Sequence, residues 1–473
     1  MSAAVERAGH RGSAAFVDVI VTFDGLPNDH AAATAGAQIT RRFQRLPMQA
    51  MRVPIARLDA LARHPLVTFV SLDSEVAGAS LSAKQTMRVP EWVTDTSPNT
   101  NYTGDGVRVA VLDTGVAAHS DLAYRVQAQH DFVNGQNGES GTDFVDPYGH
   151  GTQVAGVISG SGRYSQGRMY EGVSNADVVS LRVLDGEGRG QTSDVIAALD
   201  WILAVGQSQY QIRVVNLSLG KAVEEAQHLD PLVQAVNRVW DAGVVVVSAG
   251  NYGSFGAGTV TSPGNSRKVI TVGSLTDNGT GDNVADDYVS TYSSHGPTAY
   301  DYVLKPDLLA PGNRFIAPLA PQSMPEGLLP GNVISGRYYR KYLSLSGTSM
   351  AAPAVSATAA RMLDKNPSLT PATVKARLMK SARKIDGDPT ATGAGVLDVD
   401  SALSATGTVT GDALSPRLQR SDDGTRIYVE DTAQLWGGTD WAADFLWSDG
   451  YLWSDGFLWS DHVGSTSIDV TDP

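Results

Sequence analysis

Three residues of this chain have the types needed for nucleophilic acyl transfer: Asp113 in VLDTG (111 to 115), His150 in GHGTQVAG (149 to 156) and Ser349 in GTSMAAP (347 to 353). A serine alcohol is a weak nucleophile until a base takes its proton. An imidazole serves as that base when a carboxylate fixes its tautomer and stabilises the imidazolium. Glycines at 115, 149, 151 and 347 flank the three residues and let the backbone turn tightly beside them. Singly, each has an ordinary use: a strand-ending Asp forms turns or caps helices, and a Ser after Gly-Thr is a good N-cap. Their occurrence together, in the order carboxylate, base, nucleophile, is what points to chemistry.

The elements that must position them are legible between about 100 and 405. VRVAVLD (107 to 113), DVVSLRVL (177 to 184), RVVNLSL (213 to 219), GVVVVSAG (243 to 250) and KVITVGS (268 to 274) are short apolar runs, each read as a strand, that alternate with helical patterns. Ser193 is expected to cap a helix whose apolar face is Val195, Leu199, Ile202 and Leu203. Leu232, Val233, Val236 and Trp240 form a second such face before Gly243. The pattern is that of an α/β protein with a doubly wound parallel sheet, whose C-terminal edge collects functional groups. Asp113 ends one strand, His150 begins a helix, and Ala351, Ala352 and Ala354 allow the helix after Ser349 to pack closely.

On either side the composition changes. Residues 16 to 76 read strand, helix, strand, strand, helix, strand, the order of a small α+β ferredoxin-like sandwich. From 406, TGTVTGDALSPRLQRSDDGT reads as a linker, followed by FLWSDG, YLWSDG and FLWSDH. A six-residue period keeps Trp447, Trp453 and Trp459 aligned on a strand but not on a helix, so the tail is expected to be β-rich or irregular. Aligned indoles suit stacking on a glycan or partner surface, and equally a cluster packed on the rest of the chain; the sequence leaves both readings open.

A chain of 473 residues favours two or three domains. A net charge of −14 argues against a nucleic-acid partner. Without cysteine there are no disulfides, thiol nucleophiles or thiolate metal sites. No apolar run reaches the roughly 18 residues of a membrane span, and the first 16 residues lack a secretory apolar core. The acyl chemistry requires no cofactor.

The three segments and their order resemble the subtilisin-like serine peptidases, the subtilases. That resemblance implies a secreted-type serine endopeptidase, acting on protein or peptide substrates through an acyl-enzyme on Ser349. It makes Asn251, at the end of VSAGN, the side-chain donor of an oxyanion hole, with the Ser349 amide as the second donor. It makes Gly188 and Gly190 one edge of a peptide cleft, and Ser218, Leu219 and Gly220 the other. Ser248, Ala249, Gly250 and Thr261 become the walls and floor of the primary specificity pocket, shallower than usual because Thr261 stands where Gly is common. It further implies that residues 1 to 82 are a prodomain acting as chaperone and inhibitor, cut between Gly78 and Lys84. Residues 83 to 405 are then the catalytic domain, 406 to 473 the linker and tail, and the location extracellular. Gln153 departs from the family's pattern without touching the base. The loop 159 to 172 lacks the Asn-rich calcium loop of secreted bacillary subtilisins, and although the acidic stretch 277 to 287 suits calcium, no structural calcium is assigned. An esterase is disfavoured because no G-x-S-x-G surrounds Ser349.

Overall fold

The computed structural model describes residues 16–27, 29–73, 75–78, 99, 101–140, 144–165, 172–278, 284–420 and 427–430. Its N-terminal part contains β1 (Phe16–Phe23), α1 (Asp29–Ala35), β2 (Gln38–Arg42), β3 (Met48–Pro54), α2 (Leu58–Ala62), β4 (Val67–Leu72) and β5 (Glu75–Gly78). The first four strands form a separate antiparallel sheet in the order β2-β3-β1-β4. Alternation along β1 explains how this sheet is buried twice. Val19, Val21 and Phe23 join Ala31, Leu58 and Leu61 in the small domain's own core. Ile20, with Phe43, Leu46, Met48 and Ala50, belongs instead to the large core of the rest of the chain.

That larger unit contains β6 (Arg108–Asp113), β7 (Val126–Asp131), α3 (His150–Ser159), β8 (Asp177–Arg182), β9 (Arg189–Gln191), α4 (Thr192–Trp201), β10 (Ile212–Leu217) and β11 (Leu219–Gly220). It continues through α5 (Pro231–Trp240), β12 (Val244–Ser248), β13 (Ile270–Thr276), β14 (Leu308–Pro311), β15 (Phe315–Pro318), β16 (Val333–Ser335) and β17 (Lys341–Leu345). The helix α6 (Thr348–Lys365) and α7 (Pro371–Ser381) follow. Parallel pairing runs β14-β13-β12-β10-β6-β8-β7, a sheet whose strands are nearly continuous apolar runs because helices cover both faces. β10 and β8 flank β6, whose C-terminal end delivers Asp113.

Two sequence expectations need correction. Ser193 does not cap α4; it lies inside the first turn, and its N–H donates to the Asp73 carboxylate of the small domain at 2.8 Å. The cap comes from 120 residues away, which no local pattern encodes. The supposed linker after 405 is not loose either. Arg377 donates to Gly407 O, Val409 N–H to Thr373 Oγ1, Arg267 to Ser415 O, Leu304 N–H to Pro416 O and Leu418 N–H to Tyr302 O. Next, β18 (Arg417–Arg420) pairs antiparallel with β19 (Ile427–Glu430). The Trp repeat lies outside the described residues.

Candidate active site

The sheet edge assembles the site from three neighbouring strands. β6 ends in Asp113, β10 is followed by Ser218, and β12 is followed by Ala249, Gly250 and Asn251. His150 and Ser349 are carried by the first turns of α3 and α6, two helices packed against each other and against this sheet. Gly151 is required where α3 passes β6: a Cβ there would come within 2.1 Å of Gly115 O.

His150 Nδ1 donates to Asp113 Oδ1 at 2.8 Å, both side chains being almost fully buried. Since a carboxylate only accepts, this bond fixes the proton on Nδ1 and leaves Nε2 as the basic nitrogen. Nε2 is buried and has no hydrogen-bond partner among the described residues. The Ser349 hydroxyl donates to Ser218 O at 3.2 Å. Burial pushes the imidazole pKa down, but the Asp113 charge and hydrogen bond, together with the charge of Asp146, outweigh it and hold His150 above the ordinary histidine value.

Asp146 was not singled out from the sequence. It is fully buried, accepts from Thr114 Oγ1 (2.7 Å) and Gly149 N (2.7 Å) through one oxygen, and from Thr152 N (2.8 Å) and Thr152 Oγ1 (2.6 Å) through the other. It thereby ties the turn after Asp113 to the turn that carries His150. A carboxylate four residues before a helix-starting His was the available signal, since helix N-termini favour acids. Burial raises its own pKa against those four hydrogen bonds.

Asn251 Oδ1 accepts from Thr348 N (2.9 Å) and Thr348 Oγ1 (3.1 Å), which turns its amide nitrogen the other way. That Nδ2 is buried without a partner among the described residues, an orphaned donor on a side chain whose oxygen is held by Thr348, the residue before Ser349. Ser218 is held by Asn216 Nδ2 and donates to Ser349 O at 2.9 Å, so it braces the nucleophile's turn as well as forming part of an edge.

Between the two Gly-bearing edges lies a strand of the chain itself. β5 pairs antiparallel with β9, Val76 facing Gly190, and with β11, Gly78 facing Leu219 and Ala77 facing Gly220. Gly188 has φ +77°, and a Cβ on it would lie 2.6 Å from the ring of Tyr148, a wall residue that sequence reading missed. Thr261 bonds Ala249 O through its N–H at 3.0 Å, and Cβ atoms added to Gly220 or Gly250 would meet its side chain at 2.5 and 2.9 Å. Thr261 therefore occupies the space between those two glycines. Ser248 closes β12 directly behind them.

Gln153 lies inside α3, where Nε2 bonds Ala317 O and Pro318 O at 3.0 Å each and pins β15. Asp121 faces proton donors, namely the hydroxyls of Ser161 and Tyr342 and the N–H of Tyr164. Such a shell suits a carboxylate without a cation. Among the described residues no group of three or more His, Asp or Glu converges in a metal-binding arrangement, and no helix is long and apolar enough to cross a membrane.

Residues 104–398 match the model of the subtilase family. Serine protease AprX of Bacillus subtilis is 35% identical over 374 residues, covering 78% of this chain and 81% of that protein. Alkaline elastase YaB of a Bacillus species is 30% identical, covering 77% and 81%. The crystal structure of fervidolysin from Fervidobacterium pennivorans, a keratinolytic enzyme related to subtilisin, superposes with a TM-score of 0.66 at 19% identity, over 88% of this chain and 65% of that one, and so supports the fold. With a carboxylate, imidazole and serine delivered to one sheet edge of this architecture, and relatives matched over most of its length, the chain belongs to the subtilase family of serine peptidases.

Proposed function

We propose that this protein is a serine endopeptidase made as a self-inhibited zymogen. Ser349 attacks the scissile carbonyl, His150 Nε2 takes its proton and later delivers it to the leaving amine, and Asp113 holds the imidazole. A rotation of the Ser349 side chain away from Ser218 O makes the nucleophile–base bond; such bonds are often unformed before substrate binds. The tetrahedral oxyanion is received by Asn251 Nδ2 and the Ser349 amide, a pair whose side-chain member is worth about 3 to 4 kcal/mol in the transition state.

The observation that carries the zymogen reading is β5 as the middle strand of the cleft, in the position a substrate strand would take by β-augmentation. Continuing its antiparallel register by one residue sets residue 79 opposite Ser218, whose carbonyl neighbours the nucleophile. The cut is therefore proposed between Ala79 and Ser80, within the 78 to 84 window, of which 79 to 84 lie outside the described residues. A small residue before the cut also fits a pocket occupied by Thr261. Residues 1 to about 79 then act as inhibitor, and an extracellular setting follows the resemblance. Purified wild-type protein is expected to yield a new N-terminus at Ser80, and Ser349→Ala to stay full length. Identical processing in the two would reject self-cleavage, and a new N-terminus elsewhere would reject the register.

A further inference from the structure

A second concave feature lies away from the cleft. At the β7 edge of the sheet a cavity of about 320 Å³ is bounded by Ala118, Leu122, Ala123, Val126, Phe144 and Arg340. That volume is at the small end for ligand sites and suits a single aromatic side chain. Arg340 belongs to the run Arg337-Tyr338-Tyr339-Arg340-Lys341, every member exposed. Tyr338 and Tyr339 are 79% and 98% exposed, and both hold φ in the left-handed region, 54° and 61°, which residues with a Cβ rarely adopt. Tyr124, next in the chain to the lining residue Ala123, is 87% exposed. Lys341 pairs with Glu326, whereas Arg337 and Arg340 pair with no carboxylate among the described residues.

A largely apolar hole, lined also by His119 and Ser120 and edged by Arg340 from a cationic, aromatic surface run, has an acidic aromatic strand as its complement. The chain carries one. Between 440 and 461 stand Asp440, Asp444, Asp449, Asp455 and Asp461, with neither Lys nor Arg. Drawn as an extended strand, residues two apart share a face, so each repeat offers an aromatic ring, an indole and a carboxylate together: Phe445, Trp447 and Asp449, then Tyr451, Trp453 and Asp455, then Phe457, Trp459 and Asp461. We propose that this cavity docks the C-terminal repeat of its own chain, one indole entering the hole and the following Asp meeting Arg340.

The reach is sufficient. β18 is anchored at Tyr302 near the β14 edge, and β14 and β7 are six strand spacings apart, about 29 Å. From Glu430 to Trp447 the chain can span up to about 56 Å. Three equivalent motifs raise the local concentration of ligand at a single hole.

The test uses the full-length Ser349→Ala chain, so that its outcome is independent of the catalytic reading. Added chymotrypsin cuts after aromatic residues, and its rate of cleavage between 440 and 461 reports exposure of the repeat. Arg340→Glu, on an exposed side chain, is expected to speed that cleavage about fivefold. Ala123→Glu, also in the lining, is expected to do the same. Changing Asp449, Asp455 and Asp461 to Arg in the Arg340→Glu chain is expected to restore protection, and protection is expected to be unaffected by dilution. Equal cleavage in the parent and both single variants would overturn the proposal, as would failure of the charge swap to restore protection. Protection lost on dilution would overturn docking within one chain.

Discussion

The catalytic unit holds two appendages in opposite ways. The N-terminal domain has a core of its own, and it meets the larger unit through an apolar face of Ile20, Phe43, Leu46, Met48 and Ala50 ringed by carboxylates and one arginine. Buried Arg41 pairs with Asp194 at 2.9 Å and donates to Ser193 O, Phe132 O and Gln136 O. Asp200 receives the N–H groups of Gln44 and Arg45, Asp73 caps Ser193, and Ser71 donates to Glu225. The C-terminal segment 407–418 is held by a buried charge cluster. Asp307 pairs with Lys305 at 2.6 Å and Lys375 at 3.5 Å, while Ser415 donates to Asp307 and Lys375 to Ser415. A module with its own core can leave and stay folded. A segment that covers two buried lysines cannot leave without exposing them.

The pH responses point in opposite directions. Burial raises the Asp73 pKa to about 6, so its docked form prefers the proton. Its contribution to docking is complete below the free value near 4 and is lost as pH rises through 6. Burial lowers Lys375 to about 7 despite Asp307. A depressed lysine contributes stability above its free value near 10.5, and that contribution is lost as pH falls through 7. Rising pH therefore loosens the first appendage between about 4 and 6 and tightens the second between about 7 and 10.5.

The largest effect is expected from Asp307→Asn, which strands two buried ammonium groups. Breaking a buried pair from one side costs about 3 to 5 kcal/mol. In the Ser349→Ala background the thermal midpoint should fall by roughly 5 to 8 °C. A midpoint unchanged by the substitution would mean that the cluster does not anchor the segment. Arg41→Met should act on the other appendage alone. With Asp194 left buried without its cation, the N-terminal domain should open about 100-fold more often, read in the full-length chain by hydrogen exchange of the Gln44, Arg45 and Ser193 amides, whose bonds cross between the two units. Equal loss of protection in β13 would merge the two appendages into one cooperative unit and break the contrast.

A graded version of the same test is pH. The net upward shift of Asp73, led by burial, corresponds to roughly 3 kcal/mol between the two protonation states. Opening of the N-terminal domain, corrected for intrinsic exchange, should become more frequent between about pH 4 and 6. Asp73→Asn keeps an oxygen for Ser193 N–H and should flatten much of that dependence. A slope that survives unchanged would assign it to Asp194, Asp200 or Glu225, whose pKa values burial also raises.

The contrast also explains what was legible in the sequence. Strands of the catalytic unit were readable because burial on both faces makes them continuous apolar runs, and the small domain because each strand and helix has a local period. Asp113, His150 and Ser349 were legible through the glycine-rich turns that present them. What was hidden depends on contacts between distant segments. Ser193 reads as a cap until Asp73 supplies one, and Ser415 in a Gly-, Thr- and Asp-rich stretch reads as linker until Lys375 and Asp307 are seen beneath it. Asp146 was hidden for a different reason: its role lies in four hydrogen bonds that no spacing announces.

Asp146 gives the smallest and sharpest test, because it bears on the pH at which His150 can act in the proposed reaction. His150 must be neutral to act as base, so kcat/KM should rise with pH through an acid limb placed above 6.5, the ordinary histidine value from which His150 is raised. Asp146 contributes to that elevation through its charge, after Asp113. Asp146→Asn removes the charge but keeps one oxygen for Thr114 and Gly149. Its new NH2 then faces Thr152 N–H in place of an acceptor, which loosens the first turn of α3. The expected result is an acid limb displaced downward by a few tenths of a pH unit, equivalent to about 0.5 kcal/mol, with a larger fall in kcat than rise in KM. Thr152→Val removes one of the same hydrogen bonds without altering charge, and should lower kcat while leaving the limb in place. If both variants shift the limb alike, Asp146 acts by positioning alone, and the elevation of His150 belongs to Asp113.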